Sequence, residues 1–210
     1  MQDDKEKLQW MEWARKILSI AQSGLTYTEN KYDIDRYQQL RQIGEEIFSK
    51  YTETNLDIVK GLFDKEKGYL TPKVDVRGII FKDNRILMVQ EGIDGRWTVP
   101  GGWADVHYSP FEIAAKEVEE EAGIIVKPVR LLAVLDKNRH PHPPDIFYTY
   151  KMFILCEHVS GEPKPGMETL DAGYFGLDEI PPLSEPRVTM NQLRLMFDFL
   201  KNPGKETVCD

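Results

Sequence analysis

The sequence predicts an α+β protein, with a helical N-terminal domain (residues 1–68) followed by a domain with a mixed β-sheet (residues 69–210). In the first domain, apolar residues recur every three or four positions, as in amphipathic helices. In the second domain, short runs rich in β-branched residues alternate with turn residues. Strands and helices follow one another there without a regular βαβ repeat, which favours an α+β fold or a mixed-sheet sandwich.

The N-terminal domain is predicted to contain three helices. The first should end at Ser23-Gly24, the second should begin with Asp33 as its N-cap, and a short third should cover residues 55–63. The residues expected on the buried faces are Trp10, Trp13, Ala14, Ile17 and Ala21 in the first helix, and Tyr37, Leu40, Ile43, Ile47 and Phe48 in the second. The domain contains no combination of residues typical of catalysis.

The second domain is predicted to begin with two strands joined by a turn and to end with an amphipathic helix. The runs that favour strands are 74–81, 85–90, 129–136, 147–158 and 172–177. The last helix should run from about Thr189 to Leu200, with Leu193 and Phe197 on its buried side.

Composition limits the possible functions. The chain has 27 Lys and Arg against 35 Asp and Glu, a net charge of −8, which argues against nucleic acid as its main partner. Its two cysteines, Cys156 and Cys209, have no partners at the spacing of a metal site. Neither a signal-peptide core nor a run of about 20 apolar residues is found. We therefore expect a cytoplasmic protein with no membrane association.

One helix is defined by local signals at both of its ends. In the stretch GGWADVHYSPFEIAAKEVEEEAGI (101–124), Ser109 and Glu112 have the spacing of a capping box, and Pro110 occupies the first helical position. Gly123 is suited to the left-handed conformation that ends a helix. These signals predict a helix over 110–122.

This helix collects glutamates at its C-terminal end, where the helix dipole disfavours anions. Glu117, Glu120 and Glu121 fall on one face, whereas Glu119 points away. A bound divalent cation such as Mg²⁺, which prefers oxygen ligands, would offset the repulsion. The carbonyl of Gly101 is a further oxygen within the same stretch. The alternative is an acidic helix face that is simply hydrated.

The same stretch resembles the Nudix box, G-x5-E-x7-R-E-U-x-E-E-x-G-U, where U is a bulky aliphatic residue. Gly102 opens the motif, and KEVEEEAGI (116–124) matches its second half in register. Tyr108 replaces the first glutamate of the motif and Lys116 replaces its arginine. The resemblance extends over about residues 72–201, including WTVPGGW and YFGLDEIPPL. The N-terminal domain is similar to the one appended in a bacterial subgroup described as pyrophosphatases of CDP-choline or ADP-ribose.

The resemblance implies a Nudix-type mixed-sheet α/β/α sandwich. It also implies hydrolysis of a nucleoside diphosphate linked to a group X, giving a nucleoside monophosphate and phospho-X, with Mg²⁺ or Mn²⁺ as cofactor. The implied metal ligands are Glu117, Glu120, Glu121 and the carbonyl of Gly101, and the implied catalytic residues are Glu120, Glu121, Lys116 and Glu168. Lys116 would orient a glutamate as the arginine of the family does, although lysine lacks the fork-shaped donor geometry of arginine. Tyr108 is expected to anchor its loop by packing and one hydrogen bond.

The sequence leaves alternatives for the general base and for the substrate-binding residues. Glu168 could be the general base or an ordinary loop carboxylate. The candidates for substrate binding are Arg139, in a stiff loop at 136–150 that is expected to set specificity, together with Arg77 and Tyr148. His140 and His142, in the same loop, are interpreted as surface residues.

Two other functions are compatible with the resemblance. A nucleotide sensor without catalytic activity would account for the changes at positions 108 and 116. Action on RNA ends occurs in the family, but the acidic composition disfavours it. By analogy with the subgroup, the N-terminal domain is expected to form a homodimer or to shape the substrate site.

Overall fold

The computed structural model of the protein describes residues 2–52, 55–64, 68–145 and 147–210, with side chains described from Gln9 onwards. The chain divides into two compact units, a helical unit up to Thr71 and a sheet unit from Pro72. Of the helices described, none has both the length and the apolar character needed to cross a lipid bilayer.

The helical unit consists of α1 (Gln2–Tyr27), α2 (Lys31–Thr52) and α3 (Leu56–Asp64). Its buried apolar side chains are Met11, Ala14, Leu18 and Ala21 of α1, Phe48 of α2 and Val59 of α3. The two long helices approach closely at Gly44, where an added Cβ would lie 2.7 Å from Leu18 Cγ. Glycine at this position therefore permits the close packing of α2 on α1.

Two helix ends differ from those predicted. Helix α1 continues through Ser23-Gly24 to Tyr27, and the ring of Tyr37 covers Gly24, where an added Cβ would lie 2.4 Å from it. This packing contact outweighs the low helix propensity of glycine. The N-cap of α2 is Asn30, whose Oδ1 accepts hydrogen bonds from the backbone N–H groups of Tyr32 (2.9 Å) and Asp33 (3.4 Å). The assignment of Asp33 as the cap was wrong.

The predicted buried faces of the long helices are only partly correct. Ala14, Ala21 and Phe48 are buried, but Trp13 and Ile43 keep 46% and 47% of their surface exposed. In α1 the buried stripe runs instead through Met11 and Leu18. The large apolar side chains exposed on this unit are Trp13, Ile20, Tyr27, Tyr32, Leu40, Ile43, Ile58 and Tyr69.

The sheet unit contains a mixed sheet, as predicted. Its strands are β1 (Lys73–Lys82), β2 (Arg85–Glu91), β3 (Trp97–Thr98), β4 (Gly101–Trp103), β5 (Ile125–Asp136), β6 (Thr149–Ser160), β7 (Thr169–Phe175) and β8 (Val208–Cys209). The main order is β3-β2-β1-β6-β5-β8, while β4 pairs with β1 and β7 pairs with β2. Strands β1 and β6 pair in parallel, as do β5 and β8, and the other pairs are antiparallel.

Two helices cover the sheet, α4 (Pro110–Ala122) and α5 (Met190–Lys201). Neighbouring residues of β1 point to opposite faces, so Ile80 packs in the cluster with Val118 of α4, and Ile79 packs in the cluster with Phe197 of α5. At Gly78 an added Cβ would lie 2.5 Å from Val118 Cγ2, so the glycine lets α4 lie close to β1. The result is the expected α/β/α sandwich.

The longer elements of this unit agree with the sequence prediction, whereas the short ones do not. Helix α5 begins at Met190 with Thr189 as its cap, and β1 and β2 match the predicted hairpin. Strand β5 begins at Ile125, earlier than predicted. Strands β4 and β8 have three and two residues, too few for an alternating pattern to identify them.

Candidate active site

The acidic face of α4 forms one wall of a pocket of about 770 Å³ in the sheet unit. From this helix the lining includes Lys116, Glu117, Glu120 and Glu121. Residues of β1, β2 and β4 and of the loops before α4, β6, β7 and α5 complete it. The helix therefore presents its predicted face to a cavity large enough for a nucleotide-sized ligand.

Both ends of α4 are as predicted, and they fix the direction of its acidic face. The Ser109 hydroxyl accepts from the Glu112 N–H at 3.3 Å, and the Glu112 carboxylate accepts from the Ser109 N–H at 2.8 Å. The hydrogen bonds that the Glu112 carboxylate makes with Ser109, chiefly with its backbone N–H, lower the pKa of Glu112. Gly123 ends the helix with φ 66°. Because Ile113 and Val118 are buried against the sheet, the glutamates on the other side face the pocket.

The double glycine of β4 brings the backbone against two of these glutamates. Gly101 has φ 143°, and an added Cβ would lie 2.1 Å from the carbonyl oxygen of Val76. Its N–H donates to Glu121 Oε2 at 2.9 Å. At Gly102 an added Cβ would lie 2.9 Å from Glu117 Oε2. Any larger residue at either position would obstruct this approach.

The carboxylates in the pocket are short of compensating positive charge. Burial raises the pKa of Glu121 to about 7, against the opposing effects of the Arg77 charge and the Gly101 hydrogen bond. Burial also raises the pKa of Glu117, opposed by Lys116, and that of Glu91, opposed by Arg187. A divalent cation would supply the missing charge, and carboxylate oxygens are the donors that hard cations prefer.

The side chains as they lie do not form a preassembled ion site. In the part of the chain that the structure describes, no group of three or more His, Cys, Asp or Glu is arranged to hold a metal. The Lys116 ammonium lies 3.2 Å from Asp105, 3.5 Å from Glu120 and 3.7 Å from Glu117. The donor chemistry fits a divalent ion, and Lys116 lies beside two of the three glutamates, Glu117 and Glu120.

A buried ion-pair network lies beneath the double glycine. The Arg77 guanidinium donates from Nε and Nη2 to the two oxygens of Asp75, at 2.6 and 2.8 Å, and from Nη1 to the Val99 carbonyl at 3.1 Å. Lys151 donates to the same carboxylate at 2.9 Å. Burial alone would raise the pKa of Asp75, but the two cations outweigh it and hold the pKa well below its usual range. Arg77 thus lines the pocket while bound to a carboxylate that it shares with Lys151.

Other pocket residues come from distant parts of the sequence. Glu168 lines the pocket, as does Arg187, whose Nε lies 2.8 Å from Glu91 Oε1. Lys137 lines it as well and pairs with Asp145 at 2.5 Å. Sequence reasoning missed Arg187 and Lys137. The signal that could have indicated Lys137 is its position two residues before Arg139 in the predicted specificity loop.

The substrate-binding candidates Arg139 and Tyr148 are absent from the described pocket lining. Arg139 keeps 70% of its side chain exposed, 3.7 Å from Asp136. The Tyr148 hydroxyl donates to Asp136 at 2.5 Å, a bond that raises the Tyr148 pKa to about 12. Ile146, in the same loop, lies outside the described residues.

Two further side chains differ from expectation. Tyr108 is half-exposed, with its ring 6.0 Å from Lys116 Nζ, and its hydroxyl has no hydrogen-bond partner among the described residues. His142 is half-buried and links its loop to the segment before α5 and to the first turn of α5. Its Nδ1 donates to the Glu185 carbonyl at 2.6 Å, and its Nε2 lies 2.9 Å from the Gln192 amide nitrogen. Burial lowers the pKa of His142 to about 4, so the ring is neutral at pH 7.

Comparison with known proteins identifies the family. Residues 71–197 match the family described as the NUDIX domain, which is more than half of the chain. The chain belongs to the Nudix family. It is therefore a Nudix hydrolase, and enzymes of this family generally use divalent metal ions. Residues 8–63 match a family described as a UDP-X-like, N-terminal oligomerisation domain.

Individual relatives agree with this family. The chain is 43% identical over 206 residues to the putative ADP-ribose pyrophosphatase YjhB of Bacillus subtilis, covering 98% of this chain and 99% of that protein. A crystal structure of an ADP-ribose pyrophosphatase from Streptococcus suis shares 43% identity with a TM-score of 0.61, over 67% of this chain and all of that one. The crystal structure of a UDP-X diphosphatase shares 30% identity with a TM-score of 0.63, over 97% and 99% of the chains.

Proposed function

We propose that this Nudix hydrolase is a metal-dependent pyrophosphatase of nucleoside diphosphates linked to a group X, with ADP-ribose as the first candidate substrate. One observation carries the proposal: Glu117, Glu120 and Glu121 face one pocket, in which burial raises the pKa of Glu121 to about 7. The names of the Bacillus subtilis and Streptococcus suis relatives favour ADP-ribose. CDP-choline and UDP-sugars are the alternatives to be compared.

The proposed ligands of Mg²⁺ or Mn²⁺ are the three glutamates and the Gly101 carbonyl. When bound, such ions neutralise diphosphate oxygens and lower the pKa of a bound water. The attacking water forms a bond to phosphorus as a phosphorus–oxygen bond of the diphosphate breaks. Glu168, in the same pocket, is the proposed base that takes up the proton of this water.

Lys116 is the proposed positioning residue for the metal-binding carboxylates. Its ammonium group lies within 4 Å of Glu117, Glu120 and Asp105, so it can hold these side chains towards the pocket. It does so as a point charge rather than as a two-pronged donor. Lys116 should therefore hold the carboxylates less rigidly than an arginine at this position would.

The first experiment is a substrate and metal screen. Purified protein is incubated with ADP-ribose, CDP-choline and UDP-glucose in the presence of Mg²⁺, Mn²⁺ or EDTA, and the products are separated by chromatography. We expect a nucleoside monophosphate and phospho-X from at least one compound, and no product in EDTA. Turnover that EDTA does not affect would contradict the metal assignment.

A nucleotide sensor without catalysis is the second candidate. It is favoured by the position of the Lys116 ammonium, which lies among carboxylates that a catalytic ion would need. Titration calorimetry that detects nucleotide binding, together with a substrate screen that detects no turnover in any metal, would select this function over hydrolysis.

We further propose that the protein is a homodimer formed through its helical unit. The match to an oligomerisation domain and the exposed apolar side chains of α1 and α2 support this. Light scattering coupled to gel filtration gives the molar mass, and a mass near twice 24.3 kDa is expected.

A further inference from the structure

The basic side chains of the pocket are already paired. In the part of the chain that the structure describes, eight carboxylates and four basic side chains line it. Arg77 pairs with Asp75, and Arg187 pairs with Glu91. The other two, Lys137 and Lys116, also lie against carboxylates, as described above.

The pairs at Arg77, Lys137 and Arg187 are well shielded from water. These side chains keep only 5%, 8% and 25% of their surface exposed. Separating a buried pair leaves a desolvated charge without a partner, which is strongly unfavourable. A ligand anion would therefore have to compete with the resident carboxylate for each of these cations.

Without a bound ion, the five described carboxylates outside these three pairs outnumber Lys116 and leave the pocket negative. Glu117, Glu120 and Glu121 are the proposed metal ligands, and Lys116 lies among them, so its charge acts where the diphosphate must bind. Apart from these residues and Asp105, the described charged lining of the pocket consists of Glu168 and the three ion pairs. Trp103 also lines the pocket, half-exposed and with its ring 6.4 Å from that of Phe147. A flat aromatic surface suits a sugar ring or a quaternary ammonium group.

We propose, on the basis of the function proposed above, that the group X of the substrate carries no negative charge. The pocket accepts a neutral sugar or a cationic alcohol and discriminates against a carboxylate or an additional phosphate on X. The discrimination arises because an anionic X would be desolvated next to carboxylates with no unpaired cation to receive it.

The test uses substrates that differ only in this charge. UDP-glucose is compared with UDP-glucuronate, and ADP-ribose with the ribonate made by oxidising its terminal aldehyde; CDP-choline supplies a cationic X. We expect kcat/KM to be at least about tenfold higher for the neutral member of a pair, because like charges at close range repel in a partly buried site. The ratio should fall as salt is raised, since ions screen exposed charges.

A variant sharpens the test. Asp145→Asn removes the partner of Lys137 and leaves an ammonium group facing the pocket, so the ratio of neutral to anionic turnover should fall. Glu157→Gln is the matched control, because it also removes one negative charge but lies exposed on β6, outside the pocket. The ratio should be unchanged in this control. If Asp145→Asn does not fold, the ratios measured for the wild-type protein still decide the question.

The outcomes separate this inference from the function on which it rests. Equal turnover within a pair, or faster turnover of the anionic member, overturns the inference and leaves the pyrophosphatase assignment standing. If no compound of the whole panel is hydrolysed with either metal, the proposed function fails and the inference fails with it.

Discussion

The two units of the protein differ in how they bury their apolar side chains. In the sheet unit, the long apolar side chains of β1 are buried from both sides, by α4 and by α5. In the helical unit, only one stripe of α1 is buried, and large side chains such as Trp13 and Ile43 stay exposed. Both units keep some apolar side chains exposed, but the sheet unit buries an apolar cluster on each face of its sheet, whereas the buried apolar side chains described in the helical unit are only six. From this difference we propose that the sheet unit carries out catalysis and that the helical unit mediates association.

The largest expected effect is on catalysis. Glu120→Gln should lower kcat by about a hundredfold or more, as the loss of a preorganised electrostatic group does, while the melting temperature stays the same or rises in metal-free buffer. Glu119→Gln is the matched control, one residue away on the exposed side of α4 and absent from the pocket lining. Steady-state kinetics and thermal melts of both variants test this. Near-normal turnover in Glu120→Gln would remove Glu120 from the list of ligands.

The next effect is on the stability of the sheet unit. Arg77→Met leaves Asp75 buried with Lys151 as its remaining cation, and we expect a loss of about 3–5 kcal/mol in the free energy of unfolding. Arg85→Met makes the same change at an exposed pair with Glu179, where both side chains are at least half-exposed, and should cost under about 1 kcal/mol. Urea unfolding measures both. Equal losses would mean that the buried network does not stabilise the unit.

A smaller effect on stability should accompany a change in assembly. Ile43→Glu places a charge on the exposed apolar surface of α2 and should shift the proposed dimer to a monomer. Val159→Glu is the control, an exposed apolar residue of the sheet unit, and should leave the molar mass unchanged. Light scattering over a range of concentrations distinguishes the two. A dimer that persists in Ile43→Glu would assign association to another surface.

The smallest expected effects concern two glycines in helices. Gly61 in α3 has no atom within 4 Å of an added Cβ, so Gly61→Ala should stabilise the protein by about 0.5–1 kcal/mol through helix propensity. Gly44→Ala meets Leu18 and should destabilise it instead. Thermal melts give the sign of each change. Stabilisation by Gly44→Ala would argue against the close α1–α2 contact.

The sequence predicted those features whose causes lie within a few residues. Both ends of α4 were correct because the capping box and the left-handed glycine are local signals. The end of α1 was wrong because the contact between Gly24 and Tyr37 joins two different helices. Ile43 was predicted to be buried because it fits the helical period. Periodicity shows which residues share a helix face, but it does not show whether another element packs on that face.

In the candidate site too, the features with local causes were predicted and those that depend on distant contacts were not. The glutamates and Gly101 were placed in the pocket from one continuous motif. Arg187 comes from a segment far along the chain from its partner Glu91, and only the fold brings the two together, whereas Lys137 and Asp145 pair within one loop. Arg139 was chosen for its charge, but the chain turns its side chain outward. Non-local pairings of this kind leave no periodic trace in a sequence.

The contact at Gly78 determines how closely α4 can pack on β1. Val118 of α4 packs directly against Gly78, so the distance between α4 and β1 depends on the absence of a side chain at this position. A larger residue there would push the helix outward and carry its carboxylates away from the floor of the cavity. The reach of these acids towards a substrate is thus governed from the opposite side of the helix, by a residue with no chemistry of its own.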